Sequence, residues 1–282
     1  MFHRVSNTLR SSVRSVHGML RTLASPWMNA QRPRFTVPKI LSGRLVHLHP
    51  QFLTANLKQT EPHVMRWIRE HLKPGSVAFD IGANFGLMSL FMGKIAGPAG
   101  RVCAFEPSPA NLSLLRYHCE HNRGCKIEVV EAAVSNRHLD TAPFFLLGGG
   151  LHSGNSLTFD RATVPNLDTA LHAGLTEIVA ETVSVDGFCA DKQLVPALLK
   201  IDVEGGELYV LEGAQETLVH ARPVLILAVH PWWLPEGRTV SQIQRILTEA
   251  GYEVLNQAGE PAQELVYGEY LCLPRRSSPA PS

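Results

Sequence analysis

Apolar residues from position 61 onward fall into short blocks that alternate between two spacings. Continuous apolar blocks predict strands, whereas apolar residues three and four positions apart predict helices. The blocks predict helices at 61–72, 84–96, 108–122, 207–220 and 240–250, and strands at 76–81, 101–105, 126–131, 178–183, 197–201, 223–229, 252–255 and 265–273. This alternation predicts an α/β fold with a doubly wound, mostly parallel sheet, whose ligand crevice lies at the carboxyl ends of the strands.

The first 24 residues have a different pattern, with apolar residues on one face of a predicted helix and arginines on the other. Three interpretations of this helical arm stay open: contact with an anionic membrane surface, organelle targeting, or packing on a folded body. A proline-rich linker over 24–39 and a short strand at 44–49 follow, and 135–176 reads as irregular. We therefore expect an arm and linker at 1–57, a folded domain at 58–274 and a disordered tail at 275–282.

Composition and charge narrow the class of protein. Hydrophobic residues make up 45% of the 282 residues and charged residues 18%, which is ordinary for a globular chain. The first 60 residues carry nine Lys or Arg and no acid, so the remaining 222 have a net charge of −8. Nucleic acid is disfavoured as a partner because its backbone requires a basic surface. No apolar run is long enough to span a bilayer, and the five cysteines suit a cytoplasmic location with reduced thiols.

Two strand ends carry residues that suit a nucleoside ligand. Asp80 ends the first strand of the domain, and Gly82 then allows close approach of a ligand to the backbone. A dinucleotide-binding fingerprint would require glycine where Asn84 stands. Glu106 ends the next strand, where an acid accepts hydrogen bonds from ribose hydroxyls.

A third strand end, at 198–205, carries Asp202, Glu204 and the preceding Lys200. Two carboxylates at one strand end repel each other unless a ligand cation, a metal or Lys200 compensates them. We therefore expect a positively charged group at this edge of the sheet.

The segments 80–86, 105–107, 131–135 and 200–205 together resemble the FkbM family of S-adenosylmethionine-dependent methyltransferases, over roughly residues 61–231. The resemblance implies a Rossmann-like class I methyltransferase fold for 58–274 and S-adenosylmethionine as cofactor. It also implies transfer of the methyl group to a hydroxyl of a sugar, glycan or natural product. The residues implied to hold the cofactor are Asp80, Gly82, Asn84 and Gly86 for the methionine part, Glu106 and Pro107 for the ribose, Glu131 and Ala132 for the adenine, and Asp202 near the cationic sulfonium.

Methyl transfer to a hydroxyl requires a group that takes the hydroxyl proton. Asp202, Glu204 and His230 are the candidates, because all three follow strands that end at the same edge. We expect His230 to act near its ordinary pKa of about 6.5. A purely structural role, in which its ring bonds the following turn, remains open. Members of this family commonly carry an acid two residues before this histidine, whereas this chain has Ala228, so we expect no metal ion.

Trp232 and Trp233 follow this histidine directly. They either stack on a flat acceptor such as a sugar ring or cap the sheet edge. Two further hypotheses for the whole chain stay open. One is a membrane-associated protein, with peripheral contact through residues 1–24, that keeps the fold without turnover. The other is an NAD-dependent oxidoreductase, a class of enzyme that does not need the segment 200–205.

Overall fold

The computed structural model describes residues 33–146, 157 and 174–275. The predicted helical arm at 1–24, most of the stretch between Leu146 and Gly174, and nearly all of the predicted tail lie outside the described residues. No helix within the described ranges is long and apolar enough to cross a membrane.

Strands and helices occur in nearly the predicted order. The strands are β1 Val37–Leu41, β2 Arg44–Leu48, β3 Val77–Ile81, β4 Arg101–Phe105, β5 Ile127–Val130, β6 Ala133–Val134, β7 Asp140–Leu146, β8 Thr176–Val183, β9 Leu198–Ile201, β10 Val224–Val229, β11 Tyr252–Leu255 and β12 Gly268–Pro274. The α-helices are α1 Pro62–His71, α2 Leu87–Ala96, α3 Pro109–His121, α4 Val185–Lys192, α5 Glu207–Glu212 and α6 Val240–Glu249.

The central sheet has seven strands in the order β11-β12-β10-β9-β3-β4-β5. β10, β9, β3, β4 and β5 are parallel, and β12 runs antiparallel to both of its neighbours. The chain proceeds outward from β3 to one side through β4 and to the other side through β9. The strand order therefore reverses between β3 and β9, and in such sheets the ligand crevice lies at this switch point. This topology confirms the predicted doubly wound, mostly parallel sheet.

Apolar side chains cover both faces of the central strands, which explains why these strands read as continuous apolar blocks. In β3, Phe79 and Ile81 face one buried cluster together with Leu199, while Ala78 faces a second cluster that includes Phe91 of α2. The strand ends are thereby fixed on both sides, and the polar residues that follow them have a rigid support.

The hairpin formed by β1 and β2 packs on the body of the domain. Val37, Leu41, Val46 and Leu48 lie in the same apolar cluster as residues of α1 and α2. The predicted linker over 24–39 is therefore wrong for Val37–Lys39, which form part of β1. The division at residues 57 and 58 stays a prediction.

A buried histidine joins this hairpin to the turn after β3. The Nδ1 atom of His118 lies 2.6 Å from the Phe85 carbonyl oxygen, and its Nε2 accepts the His49 backbone N–H at 3.0 Å. One nitrogen donates and the other accepts, so the ring is neutral. Burial lowers the pKa of His118 to about 4, which is consistent with this pairing.

Three local predictions differ from the structure. β7 lies in the stretch predicted to be irregular, and α4 was not predicted. The predicted helix 207–220 is divided into α5 and a π-helical turn at Thr217–Ala221, because the Asp186 carboxylate accepts the backbone N–H groups of Glu216 and Thr217.

Candidate active site

A cavity of about 470 Å³ opens at the carboxyl ends of the parallel strands. Its size lies within the usual range of about 300–1,000 Å³ for small-molecule sites. The walls come mainly from the segments that follow β3, β4, β5 and β9. The lining includes Glu61, Gly82, Ala83, Asn84, Phe85, Met88, Glu106, Pro107, Asn111, Ala132, Phe144, Leu157, Lys200, Asp202, Val203 and Glu204.

The turn after β3 fits tightly against the turn after β9. Gly82 has a φ of +80°, and a Cβ atom there would lie 1.8 Å from the Asp202 carbonyl oxygen. Only glycine satisfies both conditions. Asn84 also has a positive φ, and α2 begins only at Leu87, after Gly86 at the N-cap. The helix therefore starts three residues later than predicted, which leaves the turn as a cavity wall.

Glu106 is held by hydrogen bonds from three donors. Its Oε2 accepts the Asn84 backbone N–H at 2.8 Å, and its Oε1 accepts the Ser108 backbone N–H at 2.8 Å and the Asn111 side-chain amide at 3.3 Å. Burial raises the pKa of Glu106 to about 7, against the lowering effect of these hydrogen bonds. The carboxylate is fixed in place, and its remaining lone pairs are available to hydroxyl donors in the cavity.

The polar atoms of the cavity fit a ligand that is rich in donors. Asn84 Oδ1 and Asn111 Oδ1 are buried and have no hydrogen-bond partner among the described residues, although buried acceptors are normally paired. Both residues line the cavity beside Glu106. S-adenosylmethionine offers ribose hydroxyls and amino groups, so the residues present fit this cofactor.

A buried lysine separates two acids at the base of the site. Lys200 Nζ lies 3.2 Å from Asp202 Oδ2 and 3.8 Å from Asp80 Oδ1. Burial alone would lower the pKa of Lys200, but Asp202 and Asp80 outweigh burial and raise it. Asp80 is fully buried, accepts the Ser89 hydroxyl and does not line the cavity. It therefore faces the lysine rather than the cavity.

The three candidate proton acceptors lie together. His230 Nε2 is 3.4 Å from Glu204 Oε2 and 3.8 Å from Asp202 Oδ1. The Nδ1 atom of His230 lies 2.6 Å from Oε1 of the fully buried Glu207, which also accepts the Gly205 backbone N–H. Glu207 therefore fixes the ring with Nε2 directed at Glu204 and Asp202. Asp202 and Glu204 line the cavity, whereas His230 lies behind them.

Burial and neighbouring charges shift the pKa values of Glu204 and His230. Burial raises the pKa of Glu204 to about 7, with Asp202 and Glu207 adding to the effect and His230 opposing it. Burial would lower the pKa of His230, but its hydrogen bond to Glu207 and the neighbouring carboxylates raise it to about 9. The expectation that His230 keeps its ordinary pKa is therefore wrong, because three carboxylates surround the ring.

The remaining predicted site residues divide into two groups. Pro107 and Ala132 line the cavity. Glu131 does not line it and instead forms an ion pair of 2.7 Å with Arg116 of α3. A Cβ atom on Gly86 would lie 2.4 Å from Leu115 Cδ1, so this glycine allows helix packing. Asn111, in the first turn of α3, and Glu207 were not predicted from the sequence. For Glu207, its place three residues after Glu204 was the only available signal.

Comparison with known proteins identifies relatives for most of the domain. Residues 80–254 match the family described as the methyltransferase FkbM domain. The 31-O-demethyl-FK506 methyltransferase FkbM of Streptomyces tacrolimicus is 31% identical over 168 residues, which cover 51% of this chain and 62% of that protein. This chain thus spans less than two thirds of the relative's length.

Two solved structures are similar at lower identity. Methyltransferase FkbM from Methylobacillus flagellatus has 17% identity and a TM-score of 0.43, with 79% of this chain and 54% of that chain covered. An S-adenosylmethionine-dependent O-methyltransferase from Thermotoga maritima has 13% identity and a TM-score of 0.40, with 86% and 80% covered.

Proposed function

Because this chain belongs to the FkbM family of methyltransferases, whose methyl donor is S-adenosylmethionine, we propose that it methylates a hydroxyl oxygen of a sugar, glycan or natural product. The observation that carries the proposal is the continuity of the cavity. On the side of β3 and β4 it presents Glu106 and the amide oxygens of Asn84 and Asn111, which have no partner among the described residues, and on the side of β9 it presents Asp202 and Glu204. The curated relative is named as a methyltransferase of 31-O-demethyl-FK506, which supports an oxygen acceptor here.

The bound cofactor supplies an activated methyl group, so the protein's main tasks are alignment and removal of one proton. We assign the nucleoside end to Gly82, Asn84, Glu106, Pro107, Asn111 and Ala132. Gly82 leaves room at the backbone, and Glu106 accepts hydroxyl donors. The carboxylate of Asp202 places negative charge where we expect the cationic sulfonium of the cofactor. Lys200 lies between Asp202 and Asp80 and reduces the repulsion between their carboxylates.

Glu204 is the best-placed proton acceptor of the predicted trio. It lines the cavity, and its pKa of about 7 makes it a stronger base than an ordinary carboxylate while leaving it largely ionised above neutral pH. His230, with a pKa of about 9, carries a proton at neutral pH and so does not take one directly. Its imidazolium, held by Glu207, is the positive neighbour that keeps Glu204 ionised.

That no metal ion is required stays a prediction. The ligand atoms of Asp202, Glu204 and His230 lie within 4.8 Å of one another, which is close enough for a metal ion. The protonated ring of His230 and the ammonium of Lys200 partly compensate the carboxylates, and this lowers the need for a further cation. A metal ion bound here would have to displace the proton of the His230 ring.

Two measurements test the proposed function. Calorimetric titration should show binding of S-adenosylmethionine and none of NAD. Mass spectrometry of small-molecule extracts incubated with the protein and methyl-labelled cofactor should show the label on a hydroxyl oxygen. Binding of NAD alone would favour an oxidoreductase, and cofactor binding without any labelled product would favour a non-catalytic protein.

A further inference from the structure

An exposed aromatic surface lies next to His230, the histidine that contacts the proposed proton acceptor Glu204. The ring of Tyr267 is 5.7 Å from the His230 ring and 5.2 Å from the Trp232 ring, and the planes of Tyr267 and Trp232 are inclined by 32°. Trp232 is 58% exposed and Tyr267 is 59% exposed. We call this pair the aromatic shelf. Two large aromatic faces left in solvent beside a reaction centre are characteristic of a binding surface.

The shelf is held rigidly from below. The Tyr270 hydroxyl accepts the Val266 backbone N–H at 2.8 Å and approaches the Val266 carbonyl oxygen at 3.2 Å. Leu265 is buried in the core and anchors the other side of the segment. On the Trp232 side, the Trp233 backbone N–H bonds the His230 carbonyl oxygen at 3.0 Å. The backbone that carries the two rings is therefore held in place before any acceptor binds, which lowers the entropic cost of binding.

The cavity beyond His230 is acidic. Glu61, Asp202 and Glu204 line the cavity, and Glu269 lies two residues beyond Tyr267, close enough for its charge to act on Glu61. Lys200 is the single cation among the described residues that line the cavity, and it is already paired with Asp202. An acceptor bearing phosphate or carboxylate would meet uncompensated negative charge here, whereas hydroxyl groups would find acceptors.

From these observations, and resting on the proposed function, we propose that the shelf binds the methyl acceptor and that this acceptor is an uncharged, polyhydroxylated ring such as a pyranoside. The apolar face of the ring stacks on Trp232 and Tyr267. Its hydroxyls point toward Glu204 and the neighbouring carboxylates. The shelf thereby selects against sugar phosphates and other anionic acceptors.

The experiment uses the full chain saturated with S-adenosylhomocysteine and measures binding by saturation-transfer NMR. The probes are a set of p-nitrophenyl pyranosides and, as their anionic counterparts, the corresponding sugar phosphates. We expect contact with the pyranosides and none with the phosphates. Trp232→Ala and Tyr267→Ala should each weaken pyranoside binding about five- to tenfold, the loss of one stacked ring. Tyr267→Phe should retain the affinity, and Val195→Ala, an exposed apolar control elsewhere, should change nothing.

The outcomes separate the two proposals. Binding of phosphates in preference to pyranosides, absence of pyranoside binding, or pyranoside binding unaffected by both alanine variants would overturn the shelf proposal. Each of these results leaves the proposed function intact as long as S-adenosylmethionine binds with its usual affinity in the same samples. If the cofactor itself fails to bind, the proposed function fails first.

Discussion

Replacing Glu204 with glutamine tests the assignment of the proton acceptor most directly. The substitution keeps the shape of the side chain and removes its ability to take a proton. Loss of a general base lowers turnover about 10²- to 10⁴-fold, equivalent to roughly 2.7–5.4 kcal/mol in the activation free energy. Because Glu204 has a pKa of about 7, turnover of the wild-type protein should fall as pH drops through 7. The residual turnover of Glu204→Gln should lack this acidic limb.

The assay is release of S-adenosylhomocysteine, measured from pH 5 to 10 at saturating cofactor. His230→Gln is the companion variant, since it removes the positive neighbour that lowers the pKa of Glu204 and should move the acidic limb to higher pH. Glu216→Gln is the control, because this exposed carboxylate pairs only with the exposed His220 among the described ion pairs. Near wild-type turnover by Glu204→Gln, or an unchanged limb in His230→Gln, would refute the reasoning.

Three further predictions concern the cofactor, metal dependence and stability. Glu106→Ala should weaken binding of S-adenosylmethionine by about 1.5–3 kcal/mol in calorimetry, because charge-assisted hydrogen bonds are lost. Unchanged affinity would show that the Glu106 carboxylate does not bind the ribose. EDTA should leave turnover unchanged, and loss of activity with rescue by a divalent ion would contradict the charge compensation by His230 and Lys200. Neutral His118 has a pKa of about 4 in the folded protein and an ordinary pKa of 6.5, so it contributes stability above pH 6.5 that is lost as pH falls toward 4. The free energy of unfolding of His118→Leu, measured in urea, should lack about 3 kcal/mol of this pH dependence. An unaltered pH dependence would argue against the neutral ring.

The parts of the fold that sequence predicted best are those where local pattern and burial agree. β3 and β9 are buried on both faces, so their apolar blocks stand out, and the acids after them mark the strand ends. β7 has the opposite character. Among the described strands it pairs only with β8, and it carries Pro143 and exposes Asp140 and Thr141, so its pattern resembles a loop. α4 was missed because Gly187 weakens the helical pattern, although this glycine is required where a Cβ atom would lie 2.3 Å from His138.

The site was predictable to the extent that residues follow strand ends. Gly82, Glu106, Asp202 and Glu204 were found in this way, and the structure brings them to one cavity. Contacts between distant segments were not predictable. Glu207 contacts a histidine 23 residues away, and this contact, together with Glu204 and Asp202, raises the pKa of His230 so that the ring is protonated at neutral pH.

The bridge made by His118 has a consequence for how much of the chain forms the working unit. A fragment cut to the family-matched range of 80–254 would begin after the hairpin and lose the His49 N–H that holds one side of the imidazole. The other side of that ring holds the Phe85 carbonyl, next to Asn84 in the turn after β3. The same cut would remove β12 and the shelf tyrosine. The shortest fragment that preserves the turn and the acceptor surface therefore runs from β1 through β12, well beyond the range by which the family is recognised.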